Sequence, residues 1–501
     1  MMMPKKPSMV ASSFYNAPVT PRAALPLQSD ITREHTLMEP KEKKTEKNPV
    51  KKSSSHGRFA LFTDLYQLTM MQAYFEEDSF DTAVFSLFVR RLPTRRNFLL
   101  ACGLDTTLEL VENLRFNEED IIYLASLQKF SDRFLHWLRD FRFTGDIHAA
   151  PEGAPIFANE PILEVVAPLP QAQLLETLIM NQIHLQTLLA SKAERVVTAA
   201  QGRPVIDFAS RRMHGIDAAL KGARAFYIGG VSATSNVLAG KRYHMPVAGT
   251  MAHSYIQAHG DEATAFRAFA KRYPDTILLV DTYDTLAGIR KVIHLAHTLG
   301  EDFKIKAIRL DSGDLSTLSK KARRLLDEAG LDKVGIFVSG GLEEDAVANL
   351  VSTGAPIDGF GVGTEMGVSG DAPSLDMVYK LCEYAGRGRV KLSTGKPVLP
   401  GRKQVFRTAE GERDVGDTIA RADEDISGAR PLLVPVMQGG RRLSDDPSGE
   451  RIAIEAARDH AKEWIARLPV EIRDPKNDSA YPVQVSAALS DYQRAVCQRL
   501  Q

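Results

Sequence analysis

Hydrophobic and polar positions along this chain follow two regimes that meet near residue 200. In the first regime helical and extended patterns are mixed. Thr63 or Asp64 can cap a helix in which Leu65, Leu68, Thr69 and Gln72 recur at helical spacing, with Tyr66 near its first turn. Thr82-Ala-Val-Phe-Ser-Leu-Phe-Val89 alternates and is rich in strand formers, so it reads as a strand. Residues from about 100 to 140 read as helical and 144–166 as short strands broken by Pro and Gly. A long helix is expected over 171–200, with Leu174, Leu178, Asn181, Leu185 and Leu188 on one face.

In the second regime short apolar segments at 205–209, 248–251, 277–280, 305–310, 334–338 and 357–362 alternate with amphipathic stretches such as 217–226 and 315–329. That alternation predicts βα units and a parallel sheet that closes as a barrel. Beyond it, 430–437 reads as a strand and 452–468 as a helix packing back on a second domain.

Composition narrows the class. At 44% hydrophobic and 25% charged residues over 501 positions, the chain matches a globular protein with two or three domains. Lys+Arg and Asp+Glu both number 63, so no global field exists to hold nucleic acid or an anionic membrane, and neither is expected as a partner. Cys102, Cys382 and Cys497 lie far apart, against both a zinc site and a disulfide scaffold, and point to the cytoplasm. No apolar run of membrane-spanning length occurs. Residues 1–55, rich in Pro, Ser and Lys, read as a disordered basic tail.

Chemistry-bearing residues gather just after the apolar segments, where a βα barrel builds its active site. Pro246-Val-Ala-Gly-Thr-Met-Ala-His253 stops a strand on small residues and presents His253 where the next helix begins, either as a structural hydrogen-bonding group or as a functional one. Val338-Ser-Gly-Gly-Leu342 and Gly359-Phe-Gly-Val-Gly-Thr364 leave backbone N–H groups open to a phosphate, although Gly-Gly also serves plain turns. Ile308-Arg-Leu-Asp-Ser-Gly-Asp314 offers Asp311 to ribose hydroxyls or Mg²⁺ and Asp314 as a helix cap; Leu279-Val-Asp-Thr-Tyr-Asp284 offers Asp281 to the barrel mouth and Asp284 as a cap. An acid next to His253 would orient its ring. Asp207-Phe-Ala-Ser-Arg-Arg212 joins an aromatic face to guanidinium groups, which suits a flat anionic ring. Arg90, Arg91, Arg95 and Arg96 suit an anion or, equally, a solvated loop.

Taken together, Asp64-Leu-Tyr-Gln, Asp207-Phe-Ala-Ser-Arg-Arg, Ala233-Thr-Ser-Asn-Val, Gly249-Thr-Met-Ala-His-Ser, Val280-Asp-Thr-Tyr-Asp, Ile308-Arg-Leu-Asp-Ser-Gly-Asp and Gly361-Val-Gly-Thr-Glu resemble the nicotinate phosphoribosyltransferase family. The likeness continues through Met377-Val-Tyr-Lys-Leu, Lys391-Leu-Ser-Thr-Gly-Lys396 and Pro400-Gly-Arg-Lys-Gln-Val-Phe-Arg407. It implies an α/β fold, with an irregular βα barrel over 201–380 beside a second α+β domain built from 56–200 and 381–501. It also implies a head-to-tail homodimer whose active sites are completed by the partner subunit.

By that resemblance His253 is the histidine transiently phosphorylated by ATP. Phe208 and the partner subunit's Tyr66 sandwich the pyridine ring, Arg211 and Arg309 lie near the ring and the phosphoribosyl group, and Arg90 or Arg91 is a partner arginine at the phosphates. Asp281 and Asp311 fall in the ribose and pyrophosphate region, Asp311 as an Mg²⁺ ligand, and Gly340, Gly341, Gly361, Gly363 and Thr364 in the 5′-phosphate loops. Ser235 stands where the related nicotinamide enzymes carry an aspartate. A carboxylate there would repel nicotinate, whereas serine can donate to it. Ala209 departs from a common glycine.

The implied reaction joins nicotinate to phosphoribosyl pyrophosphate with Mg²⁺ and coupled ATP hydrolysis. A nicotinamide- or quinolinate-using relative, and a non-catalytic scaffold with a functional tail, are the alternatives.

Overall fold

The structure, a computed structural model, describes residues 59–392, 398–443, 450–477 and 479–501. The basic tail and most of Lys391-Leu-Ser-Thr-Gly-Lys396 lie outside these residues. Helix α1 (Leu65–Glu76) opens the described chain and buries Gln67, Leu68, Met71 and Phe75. Leu65, one of the face positions read from the sequence, is exposed. Asp64 stands at the N-cap, but its carboxylate accepts from the Thr177 hydroxyl (2.7 Å) instead of the helix. Three antiparallel strands follow, β1 (Thr82–Val89), β2 (Asp146–Ala149) and β3 (Pro161–Pro168), with β1 and β2 both paired to β3. Seven of the eight β1 residues are buried, so this sheet is covered on both faces.

The helical pattern over 171–200 is two helices, Leu169–Leu174 and α2 (Glu176–Ala199), joined at Leu175. Helix α2 serves two cores. Its Leu178, Ile179, Ile183 and Leu188 pack with the antiparallel sheet, while Leu189, Ala190, Ala193 and Val196 pack in the barrel. Each such leucine or isoleucine removed from water contributes on the order of 1.5–3 kcal/mol, so one helix is held from both sides. Asn181, placed on the buried face by the sequence pattern, is exposed, and Gln182 is buried in its stead.

The barrel strands are β4 (Val205–Asp207), β5 (Ala233–Thr234), β6 (Ile277–Leu279), β7 (Ala307–Leu310), β8 (Gly335–Ser339) and β9 (Gly359–Val362), all parallel in the order β5-β4-β9-β8-β7-β6. Contrary to expectation the sheet does not close, since β5 and β6 are its edges among the described residues, and it forms a half-barrel. One expectation is corrected here. Residues 248–251 form no strand; β5 takes that place, and Val247 adds only a single parallel bridge to Thr234. Pro246 has no N–H to extend a ladder, and Thr250 turns instead toward Arg309, whose Nη1 donates to its hydroxyl (2.9 Å). The ladder is therefore irregular, with Gly249 and Thr250 facing Thr276 across a cleft.

Two helices lead out of the last turns, α3 (Glu344–Ser352) after β8 and α4 (Thr364–Val368) after β9. The chain then rejoins the antiparallel sheet. Strand β10 (Met377–Tyr384) pairs with β1, and β11 (Val434–Gln438) pairs with β2, so N- and C-terminal segments share one sheet. The strand read at 430–437 is two strands on different sheets, Ala429–Pro431 and β11, and the helix read at 452–468 spans Glu450–Arg467. Among the described residues no helix is long and apolar enough to cross a membrane.

Candidate active site

Phe208 is set by its neighbours. Asp207, buried at the end of β4, accepts from the Ala209 N–H and the Thr234 hydroxyl (both 2.7 Å), and burial pushes its carboxyl above the usual range. The Phe208 N–H donates to the Val362 carbonyl (2.9 Å). Its ring lies on Gly361, where a Cβ would come 2.5 Å from Cε2, so only glycine lets the ring rest there. The Arg309 guanidinium carbon lies 5.8 Å from the ring centroid. Burial pulls this guanidinium below its ordinary value, Asp311 and Asp281 oppose the fall, and Arg211 adds to it. Arg309 stays charged throughout. Ser235 is exposed one strand away, its N–H donating to the Asp207 carbonyl (2.9 Å).

The acids and the histidine meet on the next strand ends. His253 Nε2 lies 3.7 Å from Asp311 Oδ2, and its Nδ1 lies 3.1 Å from the Thr282 hydroxyl. Asp311 also lies 3.6 Å from Arg309 Nη2 and accepts from the Ser339 hydroxyl in a very short contact. Asp281 Oδ2 accepts from the Asp311 N–H (2.9 Å) and the Ser312 hydroxyl (2.7 Å). Gly340 packs over the Asp311 carbonyl at φ +92°; a side chain there would collide with that oxygen. Gly340 and Gly341 are exposed, and Gly363 approaches the Phe208 backbone, with Thr364 exposed at the start of α4. Thus His253, Asp281, Asp311, Arg309 and Phe208 form one connected cluster that both glycine turns border. Asp284 and Asp314 are helix caps, accepting from Ala287 N–H (2.7 Å) and Thr317 N–H (3.1 Å).

Three predicted site residues stand elsewhere in the single chain. Tyr66 is half-exposed on α1, near Glu176, with exposed Phe59, Phe62 and Leu65 beside it in sequence. Arg90 and Arg91 both pair with Asp376, at 3.6 and 3.2 Å. They border a cavity of about 970 Å³ also lined by Asn97, Phe157, Lys403 and Tyr481. The other two arginines likewise meet carboxylates of their own chain: Arg95 grips Asp345 with two bonds (2.9 and 2.7 Å), and Arg96 pairs with Asp371 at 3.0 Å. Neither reading of that loop from composition is therefore complete, since these guanidiniums pair with carboxylates of their own chain.

Sequence reasoning gave no role to the hydroxyls of Thr250, Thr282, Ser312 and Ser339, which hold Arg309, His253, Asp281 and Asp311. Their signal was position alone, small polar residues at strand ends beside the ones singled out.

Comparison with known proteins agrees along the chain. Three family models match: the nicotinate phosphoribosyltransferase N-terminal domain over residues 61–184, the quinolinate phosphoribosyl transferase C-terminal domain over 189–379, and the nicotinate phosphoribosyltransferase C-terminal domain over 426–493. A nicotinate phosphoribosyltransferase of Mycobacterium tuberculosis is 53% identical over 428 residues, covering 85% of this chain and 91% of its own. One from Bacillus subtilis is 42% identical over 383 residues, covering 74% and 78%. The crystal structure of human nicotinic acid phosphoribosyltransferase superposes with a TM-score of 0.78 at 28% identity, over 87% of this chain and all (100%) of that one. That of a nicotinate-nucleotide pyrophosphorylase from Pyrococcus furiosus gives 0.66 at 25% identity, over 81% and 95%. With more than half of its aligned residues shared with the mycobacterial protein over nearly that protein's whole length, the chain belongs to the nicotinate phosphoribosyltransferase family.

Proposed function

We propose that this chain joins nicotinate to the phosphoribosyl group of phosphoribosyl pyrophosphate, forming nicotinate mononucleotide and pyrophosphate in NAD salvage, with ATP hydrolysis coupled through phosphorylation of His253. The observation that carries this reading is the meeting of His253, Asp311 and the Gly340 turn in one cluster beside an aromatic face topped by an arginine. The activities named for its relatives point the same way.

Each residue has a part set by charge. Phe208 offers a flat apolar face for the pyridine, and Arg309, Arg211 and the Ser235 hydroxyl supply cation and donor to its carboxylate. The glycine turns offer N–H groups to the 5′-phosphate. The anomeric carbon becomes oxocarbenium-like as pyrophosphate leaves, so the pocket must hold the ring nitrogen in line and balance the departing charge. Asp281 and Asp311 suit ribose hydroxyls and a cation: Asp281 Oδ1 is buried without a hydrogen-bond partner, beside Asp311. Mg²⁺ held by one or two carboxylates together with substrate phosphates would suit this pair. When bound, that ion would offset the charge of the leaving pyrophosphate. Phosphorylation of His253 acts on binding states, tightening substrate and drawing the equilibrium toward product.

Tyr66 and Arg90 or Arg91 belong to the site of the opposite subunit in a head-to-tail homodimer; within one chain Tyr66 lies near Glu176 and both arginines pair with Asp376. A cytoplasmic setting accords with the three free cysteines. The test compares turnover of nicotinate, nicotinamide and quinolinate with phosphoribosyl pyrophosphate and ATP. Nicotinate is expected to lead by at least about a hundredfold, as a site built around one polar group rejects analogues lacking or misplacing it. Equal or greater turnover of either other pyridine would reject the proposed substrate.

A further inference from the structure

A charged cluster outside the pocket joins the elements that carry both glycine turns. Lys192, 1% exposed on α2, places its ammonium 2.6 Å from Glu344 Oε2 and 2.8 Å from Asp371 Oδ1. Glu344 opens α3, just past Gly340 and Gly341; Asp371 follows α4, which opens at Thr364 of the second turn. Neighbouring bases extend the tie. Arg195 takes the other oxygen of Glu344 (2.8 Å), Arg96 takes Asp371 (3.0 Å) and the Ser369 hydroxyl (2.9 Å), and Arg95 takes Asp345. Arg195 also donates to the Arg95 carbonyl, so the bases are themselves linked.

The arrangement answers an electrostatic problem. Glu343, Glu344 and Asp345 crowd the start of α3, directly behind the turn offered to phosphate. Uncompensated carboxylates there would repel an incoming phosphate. Lys192, Arg195 and Arg95 pair with two of these three carboxylates, Glu344 and Asp345. Because one buried ammonium bridges Glu344 and Asp371, the two turns cannot shift independently without breaking one of its two ion pairs.

We infer that Lys192 is a positioning residue for phosphoribosyl pyrophosphate, coupling the two glycine turns into one rigid cradle and neutralising the acidic helix start behind it. This rests on the phosphate role proposed above for those turns. Lys192→Met keeps the volume and removes the charge. Its KM for phosphoribosyl pyrophosphate is expected to rise about tenfold or more, the scale of a lost charged hydrogen bond, while kcat and the KM for nicotinate stay within about threefold.

Thermal protection by phosphoribosyl pyrophosphate should weaken in parallel. Should the buried carboxylates left behind prevent folding, Lys192→Met with Glu344→Gln removes one of them and is read in the same way. An unchanged KM for phosphoribosyl pyrophosphate, or equal rises for both substrates, would overturn the inference. Failure of the wild-type protein to turn over nicotinate would instead reject the proposed function, and the protection experiment would still report on Lys192.

Discussion

Gly340 shows how a residue legible in the sequence acquired a second reason in the structure. Two glycines after a strand suggested open N–H groups for phosphate; the backbone adds that Gly340 holds φ +92° and packs on the Asp311 carbonyl. Gly340→Ala is therefore expected to displace Asp311 and cost about 1–3 kcal/mol, measured by denaturant unfolding, together with a loss of turnover. The hydroxyls were less legible, since a threonine at a strand end has no pattern of its own. Thr282 is the clearest case, holding one nitrogen of His253 while the other faces Asp311. Thr282→Val is expected to leave phosphoribosyl transfer measurable but to lower the ATP hydrolysed per product formed, because the ring loses its orientation. An unchanged ratio would separate Thr282 from the histidine.

Among the elements, the antiparallel strand β1 and the strands β6 to β9 were readable because their periods and lengths are clear. Strand β5 was not, since it has only two residues, and the apolar run after it drew the assignment to 248–251. The break at Leu175 was hidden for another reason: it keeps helical dihedrals, so the hydrophobic pattern runs through it. Helix α2 gives a further expectation. Glu194 is buried there, and burial pushes its carboxyl up to about 7, with Thr198, Arg195 and Arg96 opposing and Glu344 assisting. An acid raised in the fold binds its proton more tightly than in the unfolded chain. Its stabilising share is complete below the usual glutamate range and is lost as pH rises through about 7. Glu194→Gln is therefore expected to flatten the decline in melting temperature between about pH 5 and 8, and to be the more stable form at the upper end. A wild-type slope retained by the variant would contradict this.

At the scale of the whole molecule, the two-regime pattern foretold a barrel beside a mixed layer, but not how firmly they are joined. Helix α2 lends half its length to each core, and its Lys192 and Arg195, with Arg95 and Arg96 from the mixed layer, pair with the acids Glu344, Asp345 and Asp371 around α3 and α4. Such contacts between distant segments leave no local period, so composition offered only an anion site or a solvated loop for the arginines and not their ion pairs. The contacts among His253, Asp281 and Asp311 were anticipated because each of these strands ends in chemistry, and a parallel sheet sets those ends side by side. Replacing the histidine isolates the coupling: His253→Asn is expected to lose ATP-stimulated turnover and stoichiometric phosphorylation first, while basal transfer survives.

The measurement that bears most directly on the shared pocket is mass-spectrometric detection of product from nicotinate, phosphoribosyl pyrophosphate and ATP, with wild-type protein and with Asp311→Asn. Nicotinate mononucleotide is expected from the first and a drop of about a hundredfold or more from the second, since Asp311 faces the histidine, the arginine and the glycine turn at once. No nicotinate mononucleotide from the wild type, or undiminished product from the variant, would contradict the account.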